Sequence, residues 1–88
     1  MAPTRPVHPG PIYFYSRIKS TTDTTVQHRW YRGDRLRRTV SLRISANASA
    51  GYRTYSRQTV DSEGSADWRV ELTTSDGVLL HEVRFVVR

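Results

Sequence analysis

The sequence predicts an all-β fold, a small antiparallel β-sandwich of about six to seven strands. Three observations carry this expectation. After residue 11, apolar residues recur with a period of two, the spacing that sends successive side chains to opposite faces of a strand. Turn-forming residues break the chain at short, regular intervals, as in sandwiches and small barrels. No long segment carries the i, i+3, i+4 apolar stripe of an amphipathic helix.

The elements follow in order. Residues 1–11 hold Pro3, Pro6, Pro9 and Pro11. Proline fixes φ and lacks an amide donor, so the segment favours extended polyproline backbone over regular pairing. It is expected to be a disordered tether, with residues 12–88 as the folded domain. The first expected strand covers 12–19, with Ile12, Phe14 and Ile18 on one parity. The polar stretch Ser20 to Thr25 connects it to a strand over 25–32, where Val26, His28 and Trp30 share a face. Gly33-Asp34 reads as a hairpin turn. The strand over 35–44 carries Val40, Leu42 and Ile44, and the small, polar run Ser45 to Gly51 is a loop. A strand over 52–58 and a loop over 61–67 follow. The strand over 67–74 alternates Trp68, Val70 and Leu72 with Arg69, Glu71 and Thr73. Asp76-Gly77 is a strong hairpin signal, since both residues tolerate positive φ. The last strand, 77–87, sets Val83, Phe85 and Val87 against Arg84 and Val86. A tryptophan in an early strand is a feature of immunoglobulin-like sandwiches, and both Trp30 and Trp68 are expected in the core.

Eighty-eight residues form one domain, and a domain this small buries a modest share of its surface, so its stability is expected to be marginal. There is no cysteine, so neither disulfides nor thiolate zinc sites hold the fold. No run approaches the length of a membrane span, and no apolar segment of a signal peptide opens the chain. The net charge is +6, and Lys19 is the only lysine among 14 basic residues. Such a balance favours acidic partners. The arginines are nevertheless dispersed among carboxylates, with no block of five or six like charges, which is also what solvated strand faces look like.

Five short motifs occur in order: His28-Arg29-Trp30-Tyr31, Arg53-Thr54-Tyr55-Ser56, Trp68-Arg69-Val70-Glu71, Asp76-Gly77 with Leu79, and Phe85 with Val87. Together they resemble the bacterial DUF2914 family over about residues 12 to 88. Some positions depart from the family's habit: Tyr52 stands where tryptophan is frequent, Arg57 where lysine is, and Gly64 lies further from Trp68 than usual. The resemblance implies a domain appended to a larger, membrane-linked protein, in the periplasm or cell envelope. It supplies no catalytic residues.

The residues themselves offer little chemistry. There is no Gly-x-Ser-x-Gly elbow. His28, His81, Ser56 and Asp61, or the carboxylates Glu63, Glu71 and Glu82, form no local catalytic pattern, and a domain this small has little room for a deep cleft. His8, His28 and His81 are isolated from one another, so no metal site is expected, and no Gly-rich phosphate loop or other cofactor motif is present. Arg32-Gly33-Asp34 spells an adhesion tripeptide, but a hairpin tip prefers these residues anyway. The chain is therefore expected not to be an enzyme.

The most informative set is aromatic and basic. Tyr13, Tyr15, Tyr31 and Tyr55 fall on the parity opposite the core rows, as do Arg17, Arg29, Arg53, Arg57 and Arg69. Tyrosine and arginine side by side are enriched at binding surfaces and stack on sugars or bases. A ligand site is expected on one outward face centred on Arg29, Tyr31, Arg53, Tyr55 and Arg69. The competing account is that these arginines pair across strands with Glu71 and Glu82. The expected function is a non-enzymatic, extracytoplasmic interaction or ligand-binding module, taking a protein or an anionic or carbohydrate ligand. The alternative is a small nucleic-acid-binding β-domain that uses the same face; nucleic acid is the less favoured partner, because no aromatic signature of an RNA-binding sheet is present.

Overall fold

The computed structural model describes residues 6–60 and 66–87. Among them are seven strands and no helix: β1 Pro6–Val7, β2 Gly10–Ile18, β3 Thr24–Arg32, β4 Arg35–Ile44, β5 Tyr52–Val60, β6 Ala66–Thr74 and β7 Leu79–Val87. One sheet has the order β1-β7-β6-β3-β4, and β2 pairs with β5 in the other. Every pairing is antiparallel except that of β1 with β7. In immunoglobulin-type sandwiches the strands C, F and G share a sheet, with C′ added in variable domains, while B and E lie in the sheet opposite. Strands β2 to β7 take the places of B, C, C′, E, F and G, and Trp30 sits on the strand equivalent to C, as the buried tryptophan of those domains does.

Pairing begins before residue 12. Gly10 and Pro11 lie opposite Val60 and Thr59, and Pro6–Val7 run parallel to Val86–Val87. Proline is tolerated at Pro11 because both strands of a two-stranded sheet are edges, where a missing donor need cost no ladder bond. The folded part therefore reaches further into the proline-rich segment than the sequence suggested; residues 1–5 lie outside the described residues. In the β3–β4 hairpin only Gly33 has positive φ, at 58°, the pattern of a type II′ turn with glycine first. The β6–β7 turn closes with the Gly77 amide donating to the Thr74 carbonyl at 3.0 Å.

The inner faces meet in two apolar clusters. One holds Trp30, Val60, Trp68, Val70, Phe85 and Val87; the other holds Val26, Ile44 and Leu72. Phe14 of β2 packs against both, edge-on to His28 at 4.6 Å and to Trp30 at 6.4 Å between ring centroids. Both tryptophans are buried, as expected. Val83 is the exception in the core rows. It lies opposite buried Val70, yet is 38% exposed, because a sheet of two strands cannot cover a sheet of five.

Candidate functional site

The sandwich has two outer faces, and the outward tyrosines and arginines divide between them. On the large sheet, Tyr31 and Arg69 are cross-strand partners, as are Arg29 and Glu71, and Glu71 and Glu82. The Arg69 guanidinium lies over the Tyr31 ring at 4.0 Å. It also meets Glu71 at 3.2 Å and Glu82 at 3.4 Å, and donates to the Gly33 carbonyl at 3.3 Å. Arg84 reaches Glu82 at 3.4 Å, and Arg29 donates to the Gln27 side chain at 3.3 Å. The carboxylates Glu71 and Glu82 of this face are thus taken up by Arg69 and Arg84, while Arg29 meets a neutral amide.

The outer face of β2 and β5 is different. Tyr15 lies opposite Tyr55, Tyr13 opposite Arg57, and Arg17 opposite Arg53. The three tyrosines are exposed and in mutual contact, with ring centroids 5.6–6.2 Å apart. Their rings lean at 22°, 49° and 38° to one another. Neither strand contains an Asp or Glu, and among the described residues no ion pair engages Arg17, Arg53 or Arg57. A cleft of about 400 Å³ runs beside the platform, lined by Tyr15, Ser16, Arg17, Arg53 and Thr54. Gly51 positions one wall. At φ of +86°, a Cβ there would lie 2.7 Å from Arg17 Cγ and 3.3 Å from Lys19 Cγ. The bare backbone lets both cationic side chains lie across it. The Gly51 loop is held by Asn47, whose backbone amide donates to the Ser20 carbonyl at 2.9 Å and whose side chain accepts from the Ala50 amide at 3.1 Å.

The single face expected from the sequence therefore separates. Arg29, Tyr31 and Arg69 come together on the large sheet, while Arg53 and Tyr55 lie on the opposite surface of the sandwich. Side-chain parity tells inside from outside but does not say which sheet a strand joins. The cross-strand pairing account describes Arg69, which meets Glu71 and Glu82, but not Arg29, whose partner is the neutral Gln27 side chain; the second group has no carboxylate on either of its strands. Tyr13, Tyr15, Arg17 and Arg57 complete that second group, and their outward parity was the signal available for them.

A polar chain crosses the interior between the sheets. His28 is fully buried. Its Nδ1 is 2.6 Å from Ser56 Oγ and its Nε2 is 2.9 Å from Ser16 Oγ. Trp30 Nε1 donates to the same Ser56 oxygen at 3.0 Å. Burial lowers the His28 pKa to about 4, because the charged ring would be stripped of water. The neutral ring satisfies every partner when Ser56 donates to Nδ1 and Nε2–H donates to Ser16. His28 is sealed from solvent between the two sheets, and its bonds to Ser16 and Ser56 tie β3 to β2 and β5. Among the described residues, no cluster of three His, Cys, Asp or Glu is placed to hold a metal ion.

No curated protein and no solved structure matches the chain. The family model described as "Protein of unknown function (DUF2914)" matches residues 23–87. The match starts just before β3, later than the resemblance over 12 to 88, and leaves β2 outside it. It takes in all five motifs from His28 to Val87. With well over half of its length matched, the chain belongs to the DUF2914 family.

Proposed function

We propose that this domain is a non-enzymatic binding module that holds its ligand on the outer face of the β2–β5 sheet. One observation carries the reading: three exposed tyrosines touch one another beside three arginines that no carboxylate among the described residues neutralises. Folding alone gives no reason to keep such a surface. Exposed aromatic area is costly in water, and like charges directly opposite on paired strands repel. Both costs are offset when a ligand covers the rings and neutralises the guanidinium groups. On the large sheet Arg69 is already held by Glu71 and Glu82 over the Tyr31 ring, so that Tyr–Arg pair offers a partner less. In this reading the domain works outside the cytoplasm, as a recognition element of a larger, membrane-linked protein; the family resemblance supports that part, and the site does not bear on it.

Heparin serves as a generic anionic probe. Titrated against the isotope-labelled domain, it is expected to shift amides of β2 and β5, with an affinity that falls as salt rises. Arg53→Ser abolishes those shifts, while Arg29→Ser leaves them intact. Shifts confined to β3, β6 and β7, or spread over every arginine alike, overturn the proposal.

A further inference from the structure

We propose that the ligand is an acidic polysaccharide, with a uronate carboxylate seated between Arg17 and Arg53 and its sugar rings on Tyr15 and Tyr55. The inference rests on the binding-face reading above and names its ligand class. The anion site is argued first. Arg17 and Arg53 are direct cross-strand partners, both exposed and without an ion pair among the described residues. They flank the cleft of about 400 Å³. Lys19 lies beside Arg17 over Gly51, within 3.3 Å of the place a Cβ would occupy. A planar carboxylate entering the cleft would accept forked hydrogen bonds from two guanidinium groups and turn a repulsive pair into a bridged one.

The platform argues for a sugar chain rather than a polynucleotide. A single-stranded nucleic acid carries a charge at every monomer, so its sites pair stacked bases with a basic groove that tracks the backbone throughout. Here the charged rungs lie at the two ends. Arg57 sits opposite Tyr13 at one end and the Arg17–Arg53 pair closes the other, four residues or about 13 Å along the strand. Between them the Tyr15–Tyr55 rung has no charge at all. The ring geometry agrees. A base stacks on one plane, whereas these rings lean at 22–49° to one another and form a shallow, faceted apolar patch. A pyranose chair, with C–H groups pointing from a puckered face, fits such a patch better than a flat base does. An acidic glycan with neutral stretches between its charges matches both features.

The test compares three probes at one ionic strength: oligogalacturonate, oligothymidylate and dextran. Oligogalacturonate is expected to shift β2 and β5 amides and to bind at least about tenfold more tightly than either other probe, the scale of one charge-assisted hydrogen bond. Arg53→Ser and Tyr55→Ala, both at exposed positions, each weaken it about tenfold, and Arg29→Ser does not. Equal or tighter binding of oligothymidylate overturns the proposal in favour of a nucleic-acid face. Equal binding of dextran overturns the carboxylate site. If heparin shifts β2–β5 and oligogalacturonate does not, the anchor is heparin's sulfate, the uronate carboxylate seat is wrong and the binding face stands. If none of the probes shifts that sheet, both readings fall.

Discussion

His28 shows how much one inward polar residue asks of its neighbours. Its ring shares a parity with Val26 and Trp30, so its burial was legible from the sequence. Its partners were not: Ser16 and Ser56 belong to β2 and β5, and hydroxyls at inward positions read simply as gaps in an apolar row. They are what makes an imidazole tolerable at 0% exposure. Ser56 is the junction, contacting both His28 Nδ1 and Trp30 Nε1. Ser56→Ala leaves both without a partner and is expected to cost about 1–3 kcal/mol, read as a lower urea midpoint. The histidine also sets a pH dependence. Its pKa is about 4 in the fold against 6.5 in the unfolded chain. As pH falls from 6.5 towards 4, the unfolded chain binds the proton first and stability drops, by on the order of 3 kcal/mol across that window. Above pH 6.5 this group contributes no slope. Urea unfolding between pH 7.5 and 4 should show a steeper loss for the wild type than for His28→Gln; equal slopes would mean the ring titrates freely in the fold.

At the level of strands and sheets, alternation and turn residues gave the strands nearly to their ends, because a half-buried strand must alternate. They could not give partnership. Tyr31 and Tyr55 have the same outward parity and lie on opposite surfaces, and only the pairing of β2 with β5 decides it. Unequal sheet size was equally hidden. Two strands facing five leave Val83 38% exposed, and Leu79 and Leu80, at the register shift where β7 begins, are about half exposed. Val83 shares the parity of Phe85 and Val87, but no side chain covers it fully. Replacing Leu79 and Leu80 with threonine is therefore expected to change stability by less than about 0.5 kcal/mol each while reducing self-association, measured by sedimentation at increasing concentration. The β2–β5 pair makes a different forecast. With Arg17 and Arg53 directly opposed, Arg53→Ser should raise stability at low salt by a few tenths to about 1 kcal/mol, an advantage that shrinks as salt screens the repulsion. A wild type more stable than Arg53→Ser at low salt would show that the pair is already neutralised.

For the whole molecule, the question is what keeps a two-stranded sheet on a five-stranded one. An isolated two-stranded ribbon is barely stable in water, and the ladder of β2 and β5 ends at its own edges. The pair therefore depends on what its inner face touches. Phe14 is the residue that packs against both core clusters, and its edge-on contacts with His28 and Trp30 bring it against the same strand that carries the polar chain. Truncating a buried aromatic costs on the order of 3–5 kcal/mol, and half-burial of Phe14 places it towards the lower figure. Total stability for a domain of this size is about 5–10 kcal/mol, so Phe14→Ala removes a large share. The loss should also be felt unevenly. The ladder β7-β6-β3-β4 retains Trp68, Val70 and Phe85 against one another, whereas β2 and β5 lose the contact that joins them to both clusters. Hydrogen exchange on Phe14→Ala is expected to speed up first in β2 and β5, with β3 and β6 exchanging only on global unfolding. Tyr15→Ala, on the other face of the same strand, should leave the exchange pattern of the wild type unchanged. If Phe14→Ala accelerates all strands equally, the two sheets open as one unit and the tyrosine platform is as stable as the core beneath it. If the acceleration is confined to β2 and β5, the platform rests on a separable element, and a ligand that bridges the two strands through Arg17 and Arg53 would stabilise that element in proportion to its occupancy.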